Sequence, residues 1–415
     1  MDRHSYRDHI LSNLSTIFRR IQFNKIFQWF ICISNYSRFN YTFYSTICIK
    51  KATKLVHIFL FLMIISIFLN GCSFRDIDKR AFVTSIGIDE SESFEKKYKV
   101  TLKISLSKGD PTTTGSDFTL LSYDANSISE ALTHMKSMTD KELFYGQTST
   151  ILIGEKIAIN DIRPILNYFL KRPDIQRTSY LSVAVPTANN VLQYKPKIEQ
   201  VAGSYLFSIF EDSSTDSPYV EALTLFDAHR RETEDGINIA MPIIEVEDTT
   251  IQVDKMALFS KTGMETKLNP KESELYRLLT IGVRNASTKI ETKDGAFTIK
   301  ITKGNGQLKI NRGSDDISSA IFNIKLRATV EEKIDNQISL SHHQVKNLQL
   351  ETEKKMKKEI NSLLDKIQKT QLDPIGIGLK FNASNFEHMD LDEFYSNLNV
   401  KVNVECRIVD AGIVE

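Results

Sequence analysis

The sequence predicts an α+β fold: mixed, largely antiparallel sheets with interspersed helices, multi-domain, about two or three domains by length. Three observations predict it. Residues 398–408 (LNVKVNVECRI) alternate apolar and polar with period two, the pattern of a half-buried strand. Val345, Leu348, Met356, Ile360, Leu363, Leu364 and Ile367 recur at three- and four-residue steps, which places them on one face of a long helix with lysines opposite. Lys293-Asp294-Gly295 and Gly304-Asn305-Gly306 separate alternating runs near 286–292, 296–303 and 306–312 and read as hairpin turns.

The other elements follow in order. Ala81–Asp89 and Tyr98–Leu106 read as strands joined through Glu90-Ser91-Glu92 into a hairpin. Residues 107–118 cluster Gly, Pro and Thr and predict a loop. A helix is expected over about 127–140, capped by Ser127 or Ser129, with Ile128, Ala131, Leu132 and Met135 as its apolar face. Thr148–Gly154 is a buried-type strand, Ile162–Leu170 a helix, and Tyr180–Val185 a strand ended by Pro186. Short helices are expected at 187–194 and 197–209, a loop at 212–218, and a helix from Tyr219 to about Glu232. Residues 233–250 mix strand and loop around Pro242. A new pattern starts at 251, with a strand at Val253–Phe259 and a helix opened by Asn269-Pro270-Lys271-Glu272 that runs to about Leu279. A longer strand covers 320–335. Cys406 shares the apolar parity of Val400, Val402 and Val404, so it is expected as a buried, inert thiol.

Composition excludes some classes of function. The 53 basic and 52 acidic side chains leave a formal net charge of +1, which gives no electrostatic case for a nucleic-acid partner. The four cysteines, Cys32, Cys48, Cys72 and Cys406, form no CxxC or Cys/His cluster of zinc spacing. No nucleophile motif stands out, so no catalytic or metal residue is assigned and the chain is not expected to be an enzyme. His342-His343 are adjacent, and adjacent side chains diverge; they fit a helix entrance better than a metal site. Asp227–Glu232 reads as a solvated helix face laced with ion pairs, in preference to acid–base machinery. The lysine run 354–358 reads as a solvated face, with contact to anionic lipid as the alternative. Gly376-Ile377-Gly378 lacks a third glycine or a P-loop lysine; after Asp373-Pro374 it predicts a turn leading into an extended segment.

The feature that carries most functional information lies near the start. Residues 55–69 (LVHIFLFLMIISIFL) are apolar and follow Lys50, Lys51 and Lys54. A basic flank and an apolar run of that length make a secretory signal, with an uncleaved signal anchor as the alternative. The run ends in Leu69-Asn70-Gly71-Cys72, which resembles a bacterial lipobox. Cleavage after Gly71 would leave Cys72 as the new N-terminus, carrying a thioether-linked diacylglycerol and an N-acyl lipid. Each buried CH₂ contributes about 0.8 kcal/mol and a single chain holds only marginally, so the paired chains of a diacylglyceryl group are what makes attachment stable. Residues 1–50 are excluded from fold reasoning, as either translated sequence upstream of the true start or an extended leader.

Several blocks, in order, resemble the Ger(x)C family of spore germination lipoproteins. They are Gly71-Cys72 with Arg75-Asp76-Ile77; Ser85-Ile86-Gly87-Ile88-Asp89; Ile151–Ala158; Arg172–Arg177; Met256-Ala257-Leu258-Phe259; and Asp373–Gly378, followed by the final strand and Asp410-Ala411-Gly412. The family start is Gly-Cys-Trp-Asp-Arg-like; here Phe74 stands in its tryptophan region and the element is shorter. The resemblance covers about residues 69–415. It implies the C subunit of a nutrient germinant receptor, lipid-anchored on the outer face of the spore inner membrane beside the A-type and B-type membrane subunits, without a cofactor. The expected layout is 1–50 leader or mis-start, 51–71 signal peptide, 72–80 tether, 81–250 N-terminal germination-protein region and 251–415 C-terminal germination-protein domain. A substrate-binding lipoprotein of a nutrient transporter is the alternative.

Overall fold

The computed structural model describes residues 57, 59–61, 79–105, 118–195, 204–211, 217–247, 250–293, 295–312, 318–333, 340–384, 395 and 398–410. Met1–Arg75 and Asp76–Glu415 are separate units. In the first, the described residues 57 and 59–61 are helical, and Phe59, Leu60 and Phe61 are exposed. No helix among the described residues is long and apolar enough to cross a membrane.

The second unit opens with the expected hairpin. β1 (Arg80–Glu90) and β2 (Tyr98–Ser105) pair antiparallel from Glu90 opposite Tyr98, and β3 (Phe118–Ala125) adds to β2. α1 (Ile128–Met135) follows, capped by the Ser127 hydroxyl, which accepts from the Glu130 N–H; the four predicted apolar residues are all buried. β4 (Glu142–Phe144) and β5 (Thr150–Gly154) both run parallel to β1. α2 (Glu155–Ala158) and α3 (Arg163–Leu170) lead to β6 (Tyr180–Val185), parallel to β5. α4 (Ala188–Gln193), α5 (Ser204–Phe210), β7 (Leu223–Thr224) and α6 (Leu225–Thr233) precede β8 (Ala240–Glu247), parallel to β6. β9 (Thr250–Phe259) and β10 (Met264–Leu268) return antiparallel. The sheet order is β10-β9-β8-β6-β5-β1-β2-β3, with β4 beside β1 and β7 beside β6.

This first sheet is therefore mixed: a parallel centre between antiparallel flanks. A centre covered on both faces explains why β5 is buried throughout and shows no alternation. Ile151 and Ile153 join α1, α3 and α6 on one face, while Leu152 meets α4 and α5 on the other.

The second sheet has the order β11-β12-β13-β14. α7 (Pro270–Thr280) precedes it, opened by a capping box between Asn269 and Glu272. β11 (Ala286–Thr292), β12 (Gly295–Arg312) and β13 (Ser318–Lys333) pair antiparallel, with Thr292 opposite Gly295 at the first turn. α8 (His342–Lys369) is the long helix, capped by Ser341 and Gln344, and its stripe from Leu348 to Ile367 is buried against the sheet. α9 (Ile377–Ser384) follows, and β14 (Asn399–Asp410) lies parallel to β13. Cys406 is a free, buried thiol, as its parity predicts, and burial pushes its pKa up to about 12. The exposed edge of β14 is blocked by α8: Glu353 accepts from the Cys406 N–H at 2.8 Å and Gln349 donates to the Cys406 carbonyl at 3.0 Å.

Three local expectations need correcting. Tyr219–Ala222 is not helical; the chain bends at Pro218 and Tyr219 and enters β7, paired with β6, and the helix starts at Leu225, where Thr224 caps it by accepting from the Asp227 N–H. Gly304-Asn305-Gly306 is not a turn but the middle of β12. Its glycines allow α7 to lie on the strand: a Cβ on Gly306 would stand 2.7 Å from the Leu278 carbonyl oxygen, and one on Gly304 2.8 Å from a Leu278 methyl. The segment after Gly376 is helical, not extended, because Asp373 supplies acceptors to its first N–H groups. The loops predicted at 107–117 and 212–216, and most of 197–203, lie outside the described residues.

Candidate functional site

The one site assigned from sequence, Cys72 with cleavage after Gly71, lies outside the described residues. Among the described residues no group of three or more His, Cys, Asp or Glu side chains could hold a metal ion. His342 and His343 sit in the exposed first turn of α8. What the structure does assemble is a pair of buried polar junctions, and they bring together blocks that lie far apart in sequence.

The first joins β1, β5 and α4. Asp89, at the end of β1, is 4% exposed and accepts from the Ala188 and Asn189 N–H groups at 2.7 and 2.9 Å. Its carboxylate caps the first turn of α4, where backbone donors lack helical partners. Burial raises its pKa, and the two backbone hydrogen bonds pull against that rise. Gly154 is required beside it: a Cβ there would stand 2.1 Å from the Asp89 carboxylate. Gly87 likewise makes room for Ala188 and Leu192. The Gly-Ile-Asp block and the glycine that ends Ile151–Gly154 are thus two halves of one joint.

The second junction is larger. Arg231, on α6, is 9% exposed. Its guanidinium donates to Asp227 at 2.9 Å, to Glu221 at 3.2 Å and to the Pro374 carbonyl at 3.1 Å. The Tyr276 hydroxyl, from α7, donates to the same carbonyl at 3.2 Å. Asp373 accepts from the Gly376 and Gly378 N–H groups, each at 2.7 Å, and from the Tyr395 hydroxyl. Asn238 clasps the Asp373 backbone on both sides, its N–H to the carbonyl at 2.8 Å and its Oδ1 from the N–H at 2.7 Å. Gly236 packs on Gly378, and the Leu379 N–H donates to the Gly236 carbonyl at 2.8 Å. Burial raises the pKa of Glu221 against the pull of Arg231, and burial raises that of Asp373 against its hydrogen bonds. Burial also acts on Asp227, but Arg231 and Arg230 outweigh it and hold that carboxyl low.

This junction corrects the reading of Asp227–Glu232 as a solvated face. Ion pairs are present, including Arg230 with Asp227 and Glu234, each at 2.7 Å, but Arg231 points inward. The signal was available: Leu225, Ala228 and Arg231 share one helical stripe, and all three are buried. Glu221 and Tyr395 carry no such signal, because their partners lie on other elements: Arg231 ten residues on and Thr280 59 residues on for Glu221, and Asp373 22 residues back for Tyr395. The junctions tie residues 221–240 to residues 373–379 and Tyr395, and hold α4 on the first sheet.

The described residues thus form a two-sheet α+β molecule in which blocks far apart in sequence meet in buried polar joints. Residues 73–246 match the model for the spore germination protein N-terminal domain, and residues 254–412 match that for the spore germination B3/GerAC-like C-terminal domain. The chain belongs to this Ger(x)C family of spore germination proteins, which is not a known family of enzymes. It is 22% identical to spore germination protein GerQC of Bacillus cereus over 85% of this chain and 98% of the relative. It is 21% identical to spore germination protein B3 of Bacillus subtilis (strain 168) over 88% of this chain and 99% of the relative. The crystal structure of the GerBC protein superposes with a TM-score of 0.52 at 17% identity, covering 78% of this chain and 97% of that one, which shows a shared fold.

Proposed function

We propose that this chain is the lipid-anchored C subunit of a nutrient germinant receptor, held on the outer face of the spore inner membrane by a diacylglycerol on Cys72. The observation that carries the reading is the match of both germination domains in order, starting directly after the lipobox-like Leu69-Asn70-Gly71-Cys72. In this role the folded body assembles with A-type and B-type membrane subunits and passes the nutrient signal on, without performing chemistry itself. The two buried junctions support such a role by making the body stiff enough to present a fixed surface.

The alternative, a transporter's substrate-binding lipoprotein, calls for paired parallel α/β lobes. One sheet here has a parallel centre, but three of the four strands in the other pair antiparallel, which favours the receptor reading. The test is Cys72→Ala expressed in sporulating cells. The variant is expected in the soluble fraction, with nutrient-triggered germination strongly reduced. Full membrane retention together with normal germination would refute the anchor.

A further inference from the structure

The four-stranded sheet has two unlike faces. One is covered by α7 and α8 and forms the core. The other carries six exposed cations: Lys303, Lys309, Lys325, Arg327, Lys401 and Arg407. The strand register lines them up. Lys303, Arg327 and Arg407 stand in one row across β12, β13 and β14, and Lys309 and Lys401 flank Ile321 in another. Neighbouring strands lie about 5 Å apart, so each row is a tight line of charge. Asn323 and Asn403, hydrogen-bonded to each other at 3.1 Å, fill the space between the rows. Glu405 stands in register with Lys325 as the one carboxylate between these rows, and none of the six cations forms an ion pair among the described residues.

This excess is local. The whole chain has a net charge of +1. Toward β11 the same face is matched: Lys289 pairs with Glu291 at 3.1 Å and Lys300 with Glu331 at 3.9 Å. In the lysine run of α8, on the other side of the sheet, two of the four lysines face carboxylates, Lys354 to Glu351 at 3.8 Å and Lys355 to Glu359 at 3.6 Å. Like charges packed in rows repel one another, and an unmatched set is stabilised by an anionic partner.

We propose that this sheet face lies against an anionic phospholipid surface. The face is the outward side of a pleated sheet. Four of its six cations are lysines, compact charges on flexible stems that suit a diffuse array of phosphates better than carboxylates fixed on a protein. Each basic residue near such a surface is worth roughly fivefold in binding, and the effect decays within about a Debye length, so it adds orientation to a body already tethered. The proposal rests on the membrane placement given above.

Amine-acetylation footprinting of the full chain, purified with its native modification and bound to vesicles, tests it. Lys303, Lys309, Lys325 and Lys401 are expected to be protected at least threefold on phosphatidylglycerol-rich vesicles and unprotected on phosphatidylcholine. Protection should vanish at high salt, and Lys357 and Lys358 on α8 should not change. A Lys303→Gln, Arg327→Gln, Arg407→Gln variant, checked for native circular dichroism, should lose the protection. Equal labelling on both vesicle types, or protection of the α8 lysines instead, overturns the proposal. So does protection that arises only in native membranes containing the assembled receptor, because the partner is then a protein. Failure to sediment with neutral vesicles counts against the anchor alone; sedimentation with anionic vesicles without protection counts against the face alone.

Discussion

Lys103 shows how one residue can hold back stability. It sits on β2, 4% exposed, with its ammonium 3.9 Å from the Phe118 ring centroid. Burial, reinforced by Lys195, lowers its pKa from 10.5 to about 8. A base whose folded pKa is depressed costs stability while charged, and the unfolded chain binds the extra proton between the two values. Stability should therefore rise with pH from about 8 to about 10.5. Lys103→Met is expected to raise stability at pH 7 by on the order of 2 kcal/mol and to flatten that rise, as urea denaturation at several pH values would show. Burial penalises the charged form of Asp89 as well, but its carboxylate also caps α4. Asp89→Ala leaves the buried Ala188 N–H and the half-buried Asn189 N–H without an acceptor and should cost about 1–3 kcal/mol, whereas Asp89→Asn should cost less. Equal stability of the alanine variant and the native chain would contradict the capping role.

At the level of elements, β12 is the instructive case. Glycines separated by an asparagine usually announce a turn, and here they announce a helix crossing. Gly306→Ala would push a methyl group to 2.7 Å from the Leu278 carbonyl, so α7 would have to lift from the strand. The expected cost is about 1–3 kcal/mol, read as a lowered denaturation midpoint with an unchanged slope. The misread turn and the misread extended segment at Gly376 share a cause. Glycine signals freedom of backbone or absence of a side chain, and a linear sequence does not say which of these the neighbours use. Elements with their own internal signal were legible: the Ser127 cap, the capping box at Asn269, the stripe of α8 and the parity of β14.

At the scale of the whole molecule, the junction at Arg231 ties α6 to the chain at Pro374 and, through that carbonyl, to Tyr276 of α7. Arg231→Ala would strand Glu221 in a buried site and remove a donor from the Pro374 carbonyl. Removing one partner of a buried pair costs about 3–5 kcal/mol, much of it the penalty of the charge left behind. Pairing Arg231→Met with Glu221→Gln should recover part of that loss, and a double-mutant cycle in urea would measure the coupling. Purely additive effects would show that the pair is not coupled.

The amino-acid sequence by itself determined the α+β class, most element positions, the burial of Cys406 and the family, since these depend on short-range periodicity, capping chemistry and the order of local blocks. Tertiary structure alone decided that the first sheet has a parallel centre, that Asp89 meets Gly154 and Ala188, that Arg231 turns inward to Pro374, and that one face of the second sheet gathers unmatched cations. Those features arise from pairing between strands and residues tens to more than a hundred positions apart, and no local pattern encodes which distant partner will satisfy a buried charge or share a row.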